Sequence, residues 1–135
     1  MDTTEWVGDA DRNDDFHAAA HDVIESIRLG SSPVGLTTDF VIDETVTLLG
    51  KRKGFGAGAA AEVGKLIVAS PRVVTFFVDD SVLKESIAAY PRYGGKLSLT
   101  DVVSTVVMKR YSVKQVFSHD SGFDLVSGIR RLTKP

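Results

Sequence analysis

Leu97 to Asp124, LSLTDVVSTVVMKRYSVKQVFSHDSGFD, is the stretch whose reading decides the fold. Ser98 carries the hydroxyl of a helix N-cap, and Val102, Val103, Val106 and Val107 then recur at helical spacing on one face. Tyr111 and Ser112 close that helix. Val113 to Phe117 follows as a short strand of β-branched and aromatic character and runs into Ser118-His119-Asp120. One acid, Asp101, thus falls in the first turn of the helix, and another, Asp120, just past the strand. Ligands of open parallel sheets bind in the crevice beyond the carboxyl ends of the strands, so two carboxylates aimed there are a candidate metal site. Each also has a purely local reading. Asp101, three residues after Ser98, can satisfy N–H groups at a helix start, and Asp120 can close an Asx turn.

Before this stretch the chain alternates helices and strands. Asp2 to Asp15 holds five aspartates and one glutamate and reads as a solvated loop. A helix is expected from about Asp14 to Leu29, with Phe16, Ala20, Val23, Ile24 and Ile27 as its apolar stripe and Gly30 as its stop. Val34 to Thr37 is a short strand. Thr38 or Asp39 then caps a second helix, Phe40 to about Lys51. Gly58 to Ala69 is an alanine-rich helix ended by Ser70-Pro71. Val73 to Val78, VVTFFV, is a near-continuous apolar run of the kind found in buried central parallel strands. Asp79 to Tyr90 is amphipathic, with Val82, Leu83, Ile87 and Tyr90 on its apolar side. Past Asp124, a short helical turn or an edge strand is expected. The alternation argues for an α/β fold with a central, mainly parallel sheet, in one domain spanning residues 1–135.

Glu44 is the odd residue of its helix. Val41 and Leu48, at i−3 and i+4, put it within the apolar stripe, where an acid has to be paired, metal-bound or at the mouth of a cleft. Asp43, next to it, reads as solvated. The glycine-rich KRKGFGAG at Lys51 to Gly58 is not a phosphate loop: Gly58 and Gly64 have five residues between them, and Lys65 is followed by Leu66. His17 and His21, in HAAAH, stand at i, i+4, but the zincin pattern needs Glu where Ala18 stands, which leaves an exposed or capping role. His119 is open to a phosphate contact or a surface role. Trp6 and Phe55 are open to base stacking or to packing.

Composition narrows the classes. Hydrophobic residues make up 43% and charged residues 25%, a globular balance. Sixteen basic against 18 acidic residues give a net charge of −2, which argues against bulk-charge attachment to nucleic acid but permits local basic patches such as Lys51-Arg52-Lys53, Lys109-Arg110 and Arg130-Arg131. The chain has no cysteine, so thiolate catalysis, disulfides and cysteine-bound zinc are excluded. No apolar run approaches bilayer length, and the acidic N-terminus is unlike a signal peptide; the expectation is a cytoplasmic protein away from membranes.

Asp2, Glu44, Asp101 and Asp120 stand out together. With Asp2-Thr3-Thr4, His17-Ala18, TTDFVIDETVTLLGKRKG around Glu44, LSLTDVVSTVVMKR around Asp101 and Ser118-His119-Asp120-Ser121-Gly122-Phe123-Asp124, the ordered set resembles the PIN domain, and more narrowly the VapC-type toxin ribonucleases. The resemblance spans essentially the whole chain. It implies a three-layer α/β/α fold and a Mg²⁺- or Mn²⁺-dependent endoribonuclease. In that reading Asp2, Glu44, Asp101 and Asp120 are both catalytic and metal-holding, Thr3 or Thr4 and Ser118 orient ligands or the scissile phosphate, and Asp124 is a weaker fifth acid. It further implies an RNA substrate, a cognate antitoxin and a homodimer. Two other readings stay open: an RNA-processing PIN nuclease, and a PIN-like module that binds RNA or protein without cutting. Family members carry a hydrophobic strand leading into the first aspartate, for which Met1 leaves no room; native residues are missing before it, or the sheet is completed in another way. Ser118 stands where threonine is usual.

Overall fold

A computed structural model describes residues 1–135. Its elements are α1 (Thr3–Ala10), α2 (His17–Leu29), β1 (Gly35–Thr38), α3 (Asp39–Lys51), α4 (Ala57–Ala69), β2 (Val73–Phe76), α5 (Asp80–Ala89), α6 (Leu99–Arg110), β3 (Gln115–Phe117) and β4 (Arg130–Leu132), with 3₁₀ turns at Tyr90–Tyr93 and Ser121–Leu125. The α/β alternation expected from the sequence is present, and every strand pairing is parallel.

Helix α6 is the centre of the molecule. Asp101 to Met108 are all buried, so the helix is enclosed on every side where the valine pattern alone marked one face. Val103, Val106 and Val107 form one core with Val82 of α5, against which Leu36, Phe40, Phe76 and Val78 pack. Val102 and Met108 join Leu97, Val116, Phe123 and Val126 in a second. The buried hydroxyl of Thr105 donates to the carbonyls of Asp101 and Val102, so this polar residue leaves no unmet donor.

The sheet is in two halves. β1 pairs with β2 and β3 with β4, each pair a separate parallel ladder. Between the halves lie Met1 and Asp2. The Met1 amino group donates to the Leu36 carbonyl of β1 at 2.8 Å, and the Asp2 N–H donates to the Phe117 carbonyl of β3 at 3.2 Å.

Three expectations are corrected. The acidic N-terminal stretch is not a loop over its first part: Asp2 caps a helix, α1, in which Glu5, Trp6 and Val7 are buried. Acid count hid a helix start that the Asp2-x-x-Glu5 spacing encodes. The apolar run at Val73 is not a buried central strand either. β2 pairs on one side only, and Val74 and Phe77 are 55% and 69% exposed. An unbroken apolar run does not by itself distinguish two covered faces from one. Leu48 likewise lies exposed; the buried stripe of α3 is Val41, Thr45 and Leu49, and Glu44 sits half-buried at its margin.

Candidate active site

The carboxyl ends of β1 and β3, the start of α1 and the start of α6 converge. Asp2 is buried, and its Oδ2 accepts from Ser118 Oγ at 2.7 Å and from Thr4 Oγ1 at 3.0 Å. Those hydroxyls in turn accept backbone N–H groups: Asp120 donates to Ser118 Oγ at 2.9 Å and His119 to Thr4 Oγ1 at 2.9 Å. A chain of short bonds therefore ties the start of α1 to the segment leaving β3. The other oxygen, Asp2 Oδ1, is buried without any hydrogen-bond partner.

Asp101 is buried too. Its Oδ2 accepts the Ser98 N–H at 2.7 Å while Ser98 Oγ accepts the Asp101 N–H at 3.1 Å, so the local helix-start reading is realised as a capping box. Burial, followed by the charge of Asp2 and, more weakly, that of Asp120, pushes its carboxyl up to about 7. Asp120 also realises its local reading: Oδ1 accepts the Gly122 N–H at 2.7 Å and caps the 3₁₀ turn. A Cβ at Gly122 would lie 2.5 Å from the Lys96 carbonyl, so only glycine lets this turn seat against the approach to α6. Lys96, Asp120, Ser121, Gly122 and Leu125 line a hollow of about 380 Å³ there. Glu44 stands apart from the aspartates; its Oε2 accepts from Thr3 Oγ1 at 2.7 Å. Thr3 is buried, and its hydroxyl is engaged by Glu44.

Several candidates drop out. Asp124 is exposed and forms a two-pronged pair with Arg131, at 2.9 and 3.0 Å, which holds its carboxyl below the usual range. His17 Nδ1 donates to the Gly8 carbonyl, and His21 pairs with Asp9, both at 2.8 Å, so HAAAH fastens α2 to α1. His119 is no surface residue: its side chain is buried, and the ring stacks on Phe16 with centroids 4.2 Å apart.

One acid escaped the sequence reading. Glu5 is fully buried next to Asp2, and burial first, then Asp2, pushes it up to about 7. Its Oε1 lies 2.8 Å from His119 Nδ1, though not in hydrogen-bond alignment. Burial lowers His119 as it raises Glu5, so both ends of this contact tend to neutrality. The signal was its spacing from Asp2 within a helical first turn.

No three acidic or histidine side chains are arranged to hold an ion by themselves. Mg²⁺, however, keeps several waters and takes only one or two carboxylates directly. Buried Asp2 with an unpartnered oxygen, facing an Asp101 that resists ionisation, is a donor set of that kind. The residues present fit a hydrated divalent cation, which the carboxylates of Asp2 and Asp101 would hold.

No protein-family model matches the chain. No curated protein matches it significantly. Among solved structures it superimposes on the Mycobacterium tuberculosis toxin VapC20, which cleaves the sarcin–ricin loop, with a TM-score of 0.75 and 23% identity over 96% of each chain. The chain has that toxin's fold. The three-layer α/β/α architecture expected from the sequence is therefore the architecture of this protein.

Proposed function

We propose that the protein is a divalent-metal-dependent endoribonuclease, the toxin of a toxin–antitoxin pair. The observation that carries this reading is the pairing of Asp2 and Asp101. Two buried carboxylates from distant parts of the chain meet at the ends of parallel strands, one with an oxygen left unpartnered and the other pushed up to about 7. Uncompensated like charge in a buried place is costly unless a cation belongs there. Support comes also from the fold shared with a toxin that cleaves RNA.

In this reading Asp2 and Asp101 hold Mg²⁺ or Mn²⁺ directly, and Asp120 and Glu44 act through water. When bound, such an ion offsets charge building on the phosphoryl oxygens and makes a water more acidic. Ser118 and Thr4 fix the Asp2 carboxylate by donating to it, and Thr3 does the same for Glu44. Lys96, which lines the hollow beside Asp120, would meet the RNA backbone in this reading. The cognate antitoxin, the homodimer and the cytoplasmic setting belong to the same proposal. No helix is long and apolar enough to cross a membrane, and exposed Leu66, Val68, Val74 and Phe77 on α4, β2 and the residue after β2 offer apolar surface for a protein partner.

The test is cleavage of a mixed RNA pool with Mg²⁺, with Mn²⁺ and with chelator, comparing the wild type with Asp101→Asn. Asparagine keeps an oxygen for the Ser98 N–H but removes the charge. Metal-dependent cutting that the variant loses supports the nuclease. No cutting by folded wild-type protein free of inhibitor favours a module that binds without cleaving.

A further inference from the structure

Phe16 belongs to the apolar stripe that the sequence gives α2, yet it is 47% exposed. It precedes the helix as its N-cap, outside the buried row of Ala20, Val23 and Ile27. The ring is nonetheless held. It lies on the His119 imidazole, with centroids 4.2 Å apart and 22° between the planes. His119 is a fixed backing: its side chain is buried against Glu5, and its N–H donates to Thr4 Oγ1 at 2.9 Å. On either side of it in the chain stand Ser118, which donates to Asp2, and Asp120. One imidazole therefore joins an exposed aromatic ring to the acid cluster.

The turn that carries Phe16 is fastened at two of its acids. Asp14 accepts the Phe16 N–H on Oδ1 at 2.9 Å and Arg52 Nη2 on Oδ2 at 2.8 Å. Asp11 accepts the Asn13 N–H at 3.0 Å and Arg52 Nη1 at 2.6 Å. A single guanidinium at the end of α3 thus fixes the turn and offsets two negative charges that would repel a polyanion. Arg131 brings a further positive charge near His119, its Nη1 donating to the Ser118 carbonyl at 3.4 Å. The exposed neighbours of Phe16 in the turn, Arg12, Asn13 and Asp15, are polar. One flat ring is offered, where a packed protein interface needs a broader apolar patch. Because the ring is already held, a second flat group can stack on it with little loss of conformational entropy.

We propose that Phe16 is a stacking platform for one unpaired base of the RNA, beside the phosphate presented to the acid cluster. The inference rests on the ribonuclease reading and assigns that site a base-holding residue outside its carboxylates. Bases inside a duplex are stacked on one another, so the platform selects single-stranded or looped RNA. Every base has a π-face, so Phe16 adds affinity with little sequence preference. His119 backs the platform and touches no substrate; Arg52, through Asp14, positions the turn.

The experiment measures binding of two probes in chelator, so that neither is cut: an oligoadenylate of about ten nucleotides and an abasic ribose-phosphate chain of the same length. Wild type is compared with Phe16→Leu, which keeps an apolar cover over His119 but has no flat face, and with Phe16→Trp, which keeps the face. Wild type is expected to prefer the oligoadenylate by about tenfold, Phe16→Trp to keep that preference and Phe16→Leu to lose most of it at an unchanged Tm. Affinity for the abasic chain is expected to be the same in all three. A preference kept by Phe16→Leu overturns the proposal and leaves the ring to a protein partner. Equal losses on both probes overturn it too, since the turn would then act through its shape. Metal-dependent cleavage of the mixed RNA pool is read alongside. Cleavage by the wild type with no Phe16-dependent preference sinks the platform and spares the nuclease; a Phe16-dependent preference without cleavage sinks the nuclease and spares the platform.

Discussion

Ser118 Oγ donates to Asp2 Oδ2 at 2.7 Å and accepts the Asp120 N–H at 2.9 Å, so one hydroxyl positions two of the candidate carboxylates. Ser118→Ala removes both bonds at a fully buried position. A stability loss of about 1–3 kcal/mol is expected, together with a marked drop in cleavage. Ser118→Thr keeps the hydroxyl and is expected to retain most activity. Denaturant titration and cleavage rates of the two variants check this; equal activity of Ala and Thr would remove Ser118 from the site.

The metal-free protein is expected to lose stability as pH rises from about 4 to 7. Asp101 has a folded value of about 7 against an ordinary 3.8, so between those values the folded state holds the proton that the unfolded state has released. The unfolded state then binds fewer protons, and the slope of unfolding free energy with pH is negative. Mg²⁺ is expected to raise Tm more at pH 7.5 than at pH 5, where protonated Asp101 binds it poorly. Asp101→Asn is expected to flatten the metal-free pH profile and to abolish the Mg²⁺-dependent rise in Tm. A Mg²⁺ effect of equal size at both pH values, or one kept by the variant, would count against Asp101 as a ligand.

Asp124 serves as the internal control. It is exposed and paired with Arg131 on the surface, where an ion pair contributes little to stability. Asp124→Asn is expected to leave cleavage unchanged while Asp120→Asn lowers it. Loss of activity in both would mean that the segment from Ser118 to Leu125 acts as one unit through its shape.

Gly122 tests that shape directly. The Cβ of Gly122→Ala would press on the Lys96 carbonyl and on Leu97, backbone and core that have little room to give. A cost of about 1–3 kcal/mol is expected, with reduced cleavage at temperatures where the variant is still folded. Wild-type activity and stability in this variant would show that the turn adjusts without moving Asp120.

Helices with periodic stripes and clear stops were legible, as in α2 ending at Gly30 in the left-handed region, and α6 with its Ser98–Asp101 box. Strand environment was not. VVTFFV reads the same whether one face or both are covered, and the side of β2 that lies open depends on how the sheet halves sit, a tertiary fact. Asp101 and Asp120 were legible as residues, but each has a helix-capping or turn-closing task that fully explains its presence locally. Only the approach of Asp101 to Asp2, nearly a hundred positions away, marks it as a candidate for more than a cap. Glu5 was hidden for a related reason: in an aspartate-rich stretch its charge reads as solvation, and its burial depends on His119 and Asp2 arriving from elsewhere.

Glu5 therefore supports a last prediction. Its folded value of about 7 lies above the ordinary 4.5, so ionising it in the folded state costs of order 3 kcal/mol above neutrality. Glu5→Gln keeps the shape and stays neutral at every pH. Near pH 5 Glu5 is already protonated in the folded protein, and the substitution is expected to change stability little. At pH 8 the neutral amide avoids the cost, so the variant is expected to be more stable than wild type, and the midpoint difference should appear across pH 5 to 8. Glu5→Ala instead leaves a hole beside His119 and is expected to destabilise at both ends of that range. Paired urea titrations at pH 5 and pH 8 decide it: a glutamine variant weakened equally at both would mean that the charged form of Glu5, held by His119, is the one the fold requires.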